Sequence, residues 1–293
     1  MRDNAAMRSL LFPSVLLAPI LLAAASQEPP TSLGATNTRI DEPLVRPRDA
    51  RLVWSDEFNR LDPANWRADT SRNRQGWSNH EQQYYSAGRP ENARIEHGRL
   101  VIEARAEAPR SEPDWGGQRY TSARLTTEGR AAWTYGFYEI RARIPCGRGT
   151  WPAIWMMPEE KAPWPEAGEI DIMEHVGFDP HQIHATLHTA LFVHTKGTQR
   201  GSQINVPSAC DAFHRYQMLW TPDAITVGVD DRAYMRVRND QPGGRGAWPF
   251  DRPFHLIMNV AMGGDWGGQK GIDDRALPQR MEVDYVRVWQ RRR

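Results

Sequence analysis

Gly168-Glu169-Ile170-Asp171-Ile172-Met173-Glu174 places three acids within an otherwise apolar stretch. Side chains alternate along a strand, so Glu169 and Asp171 fall on one face while Ile170 and Ile172 fall on the other. Strict alternation would carry Glu174 to the isoleucine face and bury its carboxylate among core side chains. A bulge near Met173 absorbs one extra residue and returns Glu174 to the face of Glu169. The two glutamates then behave as positions four apart, with Cα atoms separated by about 13 Å at ~3.3 Å per residue, and side chains leaning together close most of that gap.

Working outward, strand signals recur at 100–104, 122–126, 136–144, 184–189, 216–220, 225–229, 255–261 and 281–289, with Gly, Pro, Asp and Asn between them. Amphipathic helices are not interleaved, which argues against a Rossmann fold or a β/α barrel. No second linker or fixed-period repeat interrupts residues 52–290, which are expected to form one all-β domain, a sandwich or barrel.

The chain of 293 residues opens with Arg2 and Arg8 around a positive start, an apolar run over 10–22 and the small residues Ala23-Ala24-Ala25-Ser26. That order predicts a signal peptide over 1–26, cleavage near Gln27 and a secreted or periplasmic protein without a membrane span in its mature form. Residues 27–51, rich in Pro, Ser, Thr and Asn without an apolar period, are expected to be a flexible leader. Loss of Arg2, Asp3 and Arg8 takes the formal charge from +1 to 0, a poor basis for nucleic-acid binding. Cys146 and Cys210 would meet oxidising conditions after export, but the sequence does not place them in contact. The 12 Trp outnumber the 8 Tyr and the 8 Phe, and several lie beside Gly and Pro, where flat rings suit the apolar faces of sugars.

Paired carboxylates on one face fit double displacement, in which one group attacks an anomeric carbon and the other protonates the leaving oxygen across about 5–5.5 Å. Asp171, between them, is positioned to share a proton with Glu169 and to influence both titrations. A solvated strand face would also carry three acids. Calcium sites draw instead on loop carbonyls, and His184 to His188 lacks both the helix and the Glu of a zinc protease motif.

The segment Glu169-Ile170-Asp171-Ile172-Met173-Glu174 resembles the catalytic signature of glycoside hydrolase family 16 in its bulged form. Trp54-Ser55-Asp56-Glu57-Phe58-Asn59, Asn79-His80-Glu81-Gln82-Gln83-Tyr84-Tyr85, Tyr120-Thr121-Ser122-Ala123-Arg124, Trp151-Pro152-Ala153-Ile154-Trp155 and Asp284-Tyr285-Val286-Arg287-Val288 follow the order of bacterial laminarinase-like members. The resemblance implies a jelly-roll β-sandwich of two curved antiparallel sheets with a concave substrate cleft. It makes Glu169 the nucleophile, Glu174 the acid/base and Asp171 their assistant, with Asn92, Arg124, Trp151, Trp155, Trp164, His188 and Gln279 binding substrate.

No cofactor is expected for the chemistry. A structural Ca²⁺ is expected through the backbone carbonyls of Glu57 and Gly98 and the side chain of Asp284, as in relatives. The segments Trp248-Pro249-Phe250 and 259–268 look most like laminarinases, so the expected partner is a β-1,3-glucan cut by a monomer. Mixed-linkage glucan or agar is the alternative substrate, and a non-catalytic glucan-binding sandwich the alternative class.

Overall fold

A computed structural model describes residues 38–292; the expected signal peptide lies outside the described residues. Two large antiparallel sheets form a sandwich. In the seven-stranded sheet the order is Arg200–Asn205, Gln182–His188, Glu169–Glu174, Thr150–Pro158, Phe254–Met262, Arg124–Thr126 and Arg67–Ala68. The nine-stranded sheet runs Arg39–Pro43, Arg232–Arg238, Ala224–Val229, His214–Trp220, Gly136–Arg143, Gln279–Arg291, Arg99–Ala104 and Ala93–Glu96, with Ala50–Asp56 also paired to Gln279–Arg291. A small parallel pair, Gln83–Tyr85 with Tyr120–Ser122, lies apart. Among the described residues there is no α-helix, and no helix is long and apolar enough to cross a membrane.

The inner faces of both sheets meet in one apolar core. Ile154, Met156, Ile170, Ile172 and Leu187 from the seven-stranded sheet pack with Tyr138, Ile140, Met218, Trp220 and Val286 from the other. Each large side chain removed from water contributes about 1.5–3 kcal/mol before chain entropy is counted. The alternation that buries one face of Glu169–Glu174 therefore leaves its acids on the other.

The bulge lies where the sequence indicates. Along the neighbouring strand, Ile154 is opposite Met173 and Trp155 is opposite Asp171, so Ile172 has no partner of its own. The register with Gln182–His188 slips by one over the same interval. Ile172 and Met173 are both buried in the core, which leaves Glu174 free to turn outward with Glu169.

The sandwich begins before residue 52, so residues 39–51 are not all leader. Arg39–Pro43 pairs with Arg232–Arg238, and Ala50 already lies in a strand. This edge strand escapes a search for apolar alternation because backbone pairing and charge hold it. Asp41 accepts two hydrogen bonds from Arg232, and Glu42 pairs with Arg236.

Two further expectations meet the structure here. Cys146 and Cys210 are joined by a disulfide. The expected calcium position is not a cation site by its chemistry. The Asp284 carboxylate accepts from Arg141 at 2.5 Å and faces Arg99 at 3.8 Å. The guanidinium groups of Arg99, Arg141 and Arg143 gather 4.7, 4.9 and 5.6 Å from the Phe213 ring, and Arg287 grips the Glu57 side chain. A dication brought to Asp284 would meet the guanidinium groups of Arg141 and Arg99, so the Asp284 carboxylate, already paired with arginine, does not fit calcium.

Candidate active site

The outer face of the seven-stranded sheet carries a cleft with a cavity of about 430 Å³. Glu169, Asp171 and Glu174 all open into it, with Trp151, Trp155, Trp164 and Arg124. Gly168 starts the acidic strand at φ +89, where a Cβ would also come within 2.7 Å of Pro249 Cγ. Only glycine satisfies both the left-handed backbone and this close approach.

Each glutamate is oriented by its own tryptophan. Trp164 Nε1 donates to Glu169 Oε2 at 2.8 Å, and Trp151 Nε1 donates to Glu174 Oε1 at 3.0 Å. Asp171 is 3% exposed, and its Oδ2, which has no hydrogen-bond partner among the described residues, lies 3.4 Å from His188 Nε2. His188 Nε2 also lies 3.9 Å from Glu169 Oε1. Glu169, Asp171 and His188 thus offer ligand atoms within 4.8 Å of one another, a set that could hold a divalent ion.

Burial dominates the electrostatics. It pushes Glu169 up to about 7, and the charge of Asp171 adds to the rise. His188, Trp164 and Arg124 oppose that rise by favouring the carboxylate. An ionised Asp171 therefore works against an ionised Glu169, contrary to the expected help; Asp171 assists only while it holds a proton. Burial also raises Asp171 and raises Glu174 further, the latter with added repulsion from Asp171 and Glu169. Burial lowers His188, while the charge of Glu169 pulls the other way.

The remaining wall is built for flat, hydroxylated surfaces. Trp155 Nε1 donates to Asn259 Oδ1 at 2.7 Å, and Asn259 Nδ2 donates to the Tyr85 hydroxyl at 3.0 Å. The Arg124 guanidinium lies 4.6 Å from the Trp155 ring and 5.1 Å from the Trp77 ring, with Asp69 3.0 Å from its Nε. Trp164 stands 40% exposed beside His194, 5.3 Å between ring centroids. Truncating Trp155 to Ala should raise KM for a polymeric substrate by the equivalent of ~1–3 kcal/mol, with a smaller change in kcat. Steady-state kinetics alongside a melting curve checks this; a variant that melts early and binds normally would make Trp155 a core residue instead.

Three expected substrate residues do not line this cleft: His188 is buried behind Asp171, and Asn92 and Gln279 are turned elsewhere. Asn92 is fully buried, its amide donating to Glu103 O and Thr121 Oγ1 while its oxygen accepts from Ser86 and Arg89. Gln279 is spent on Gly147 N–H and Ala276 O, and lines a separate hollow beside the disulfide. Their amides are consumed by protein partners, a role that composition cannot distinguish from sugar binding. Conversely, Glu81, Trp77, His194 and Asn259 line the cleft without having been singled out. Asn259 carries a signal that could have found it, since it interrupts the apolar strand Phe254–Met262.

Comparison with known proteins agrees with this geometry. The profile of "Glycosyl hydrolases family 16" matches residues 80–287. A beta-glucanase of Rhodothermus marinus is 53% identical over 249 residues, covering 81% of this chain and 84% of that protein. A glucan endo-1,3-beta-glucosidase of Cryptopygus antarcticus is 39% identical over 253 residues, covering 81% and 91%. Among solved structures, SCLam, a non-specific endo-beta-1,3(4)-glucanase, superposes with a TM-score of 0.85 at 53% identity, covering 87% of this chain and 96% of that one. With most of the sandwich and its acidic strand inside these matches, the chain belongs to the glycosyl hydrolases of family 16.

Proposed function

We propose that this protein is a secreted or periplasmic retaining endo-glycosidase that hydrolyses β-1,3-glucan, with Glu169 as nucleophile and Glu174 as general acid/base. The observation that carries the mechanism is the bulge at Ile172 and Met173, which sets both glutamates on the cleft face. Ionised Glu169 attacks the anomeric carbon as the bond to the leaving oxygen breaks, and the proton of Glu174 passes to that oxygen. Water then attacks the glycosyl ester, Glu174 takes its proton, and Glu169 leaves as carboxylate with the original anomeric configuration restored. Trp164 holds the attacking carboxylate and Trp151 the donating one. Asp171, lacking a partner for Oδ2, lends or takes a proton beside Glu169 as charge moves.

The open cleft suits attack within a chain, and Trp151, Trp155 and Trp164 offer ring faces to successive sugars. The names of the relatives favour β-1,3-glucan, and the likeness to a 1,3(4)-glucanase favours activity on mixed-linkage glucan as a second substrate. The enzyme is proposed to act as a monomer, independent of nucleic acid. Product analysis on laminarin, lichenan and agarose tests the reading. Laminarin should yield short oligosaccharides fastest and agarose none; release from agarose without release from laminarin would overturn it.

A further inference from the structure

Glu81 is a half-buried acid of the cleft that the double displacement does not use. It follows the turn Ser78–His80, in which Asn79 and His80 both adopt left-handed φ values of 57 and 54. Such backbone strain at a cleft persists only where the surroundings hold it. Here the surroundings do so: Glu81 bridges to Gly263, Gln82 N–H donates to Met262 O at 2.8 Å, and Asp265 N–H donates to Asn79 O at 2.7 Å. Gln83, fully buried, fixes the carboxylate itself. Its Oε1 accepts from Met262 N–H at 2.7 Å, which leaves Nε2 to donate to Glu81 Oε2 at 2.9 Å.

The segment therefore delivers a fourth acid to a stated place. A Cβ at Gly264 would lie 3.3 Å from Glu81 Cγ and 3.4 Å from Trp151 Cζ3, so Glu81 and Trp151 flank the same glycine. Trp151 in turn donates to Glu174. Resting on the roles proposed above, we infer that Glu81 is a positioning residue for the acid/base: its carboxylate, held in the Glu174 cleft by Gln83, keeps the proton on Glu174 until the leaving oxygen takes it.

The other groups facing Glu174 leave this task open. Glu169 and Asp171, on its own strand, repel it while charged, but Glu169 gives up its charge once it forms the glycosyl ester. His184, opposite it on the next strand, is held down to about 4 by burial and stays neutral. Tyr234, from the nine-stranded sheet, is buried and uncharged, and Trp151 offers only a neutral N–H. Arg124, which lines the cleft with Arg72, favours the ionised forms of Glu81 and Glu169 against the burial that raises both. Burial raises Glu81 itself, a rise that the Gln83 amide and Arg124 oppose; Glu81 is the one acid among these that is off the reacting strand, so forming the glycosyl ester does not consume its charge.

The test compares wild type with Glu81→Gln, which keeps the shape and removes the charge. The pH profile of kcat/KM on laminarin should lose its alkaline side by about one pH unit, while the acid side stays in place. Glu81→Asp, which keeps the charge, should retain the wild-type alkaline limb and serves if the Gln variant folds poorly. A Gln variant whose profile superimposes on wild type, whatever its rate, would overturn the inference, because a structural role lowers rate without moving the limb. Carboxyl ¹³C titration of Glu174, assigned with Glu174→Gln, decides the point without any substrate. If wild type fails to cleave β-glucan, the proposed function falls, whereas an unchanged Glu174 midpoint in Glu81→Gln removes the role of Glu81 alone.

Discussion

Replacing Glu169 with Ala should abolish hydrolysis of β-glucan, with kcat falling by about 10⁴-fold or more, because no other group in the cleft is placed to form the glycosyl ester. The vacated space beside Trp164 should admit azide or formate. Either anion would attack an activated β-glycosyl fluoride from the opposite face and give an α-configured product. The fold should survive, and the isosteric Glu169→Gln should be more stable than wild type at alkaline pH. Burial raises Glu169 from 4.5 to about 7 in the folded chain, so ionisation opposes folding progressively above pH 4.5 and fully above 7. Removing the charge should thus raise the melting temperature at pH 8 and leave it unchanged at pH 4. Loss of activity with a gain in stability separates a chemical role from a structural one.

Glu174→Ala should fail differently. Cleavage of the polysaccharide should fall by about 10²–10⁴-fold, since departure of a sugar alkoxide needs the proton. Aryl glycosides with acidic leaving groups depart without it, so their glycosylation step should be nearly preserved and the glycosyl-enzyme should accumulate. Azide should then speed turnover and yield a β-configured adduct. The wild-type profile should reflect both groups: activity rises as Glu169 ionises near pH 7 and falls at higher pH as Glu174 loses its proton. Rates on both substrate classes, measured from pH 5 to 10, check the two limbs.

The acidic strand was the most legible part of the molecule. Three acids alternating with isoleucines demanded a bulge, and the extra residue is absorbed where Ile172 and Met173 both enter the core. Its neighbour was much harder to recognise. Thr150–Pro158 is a central strand paired along its whole length to Phe254–Met262, yet Pro152 and Pro158 argue against a central strand in sequence. Pro152 still accepts from His175 N–H through its carbonyl, so part of the ladder is kept. The same strand carries Trp151 and Trp155, whose importance was legible from chemistry while their place on a strand was not.

Short strands such as Arg67–Ala68 and Gln83–Tyr85 have too few residues to show a period, and they are fixed by partners far away in the chain. The site divides along the same line. Residues on long strands, Trp151, Trp155 and the acids, reach the cleft as expected, because alternation sets their face; Arg124 also reaches it, from a strand of three residues. Asn92, just before a strand, and Gln279, at the first position of one, do not, because only tertiary hydrogen bonding decides where an amide at a strand's start points.

The central claim, that Glu169 and Glu174 act as nucleophile and acid/base of one double displacement, is tested most directly by following wild-type hydrolysis by ¹H NMR at the anomeric proton. The account predicts that the newly formed reducing ends appear first as the β-anomer and mutarotate to α afterwards. An α-anomer formed first would show single displacement and contradict it.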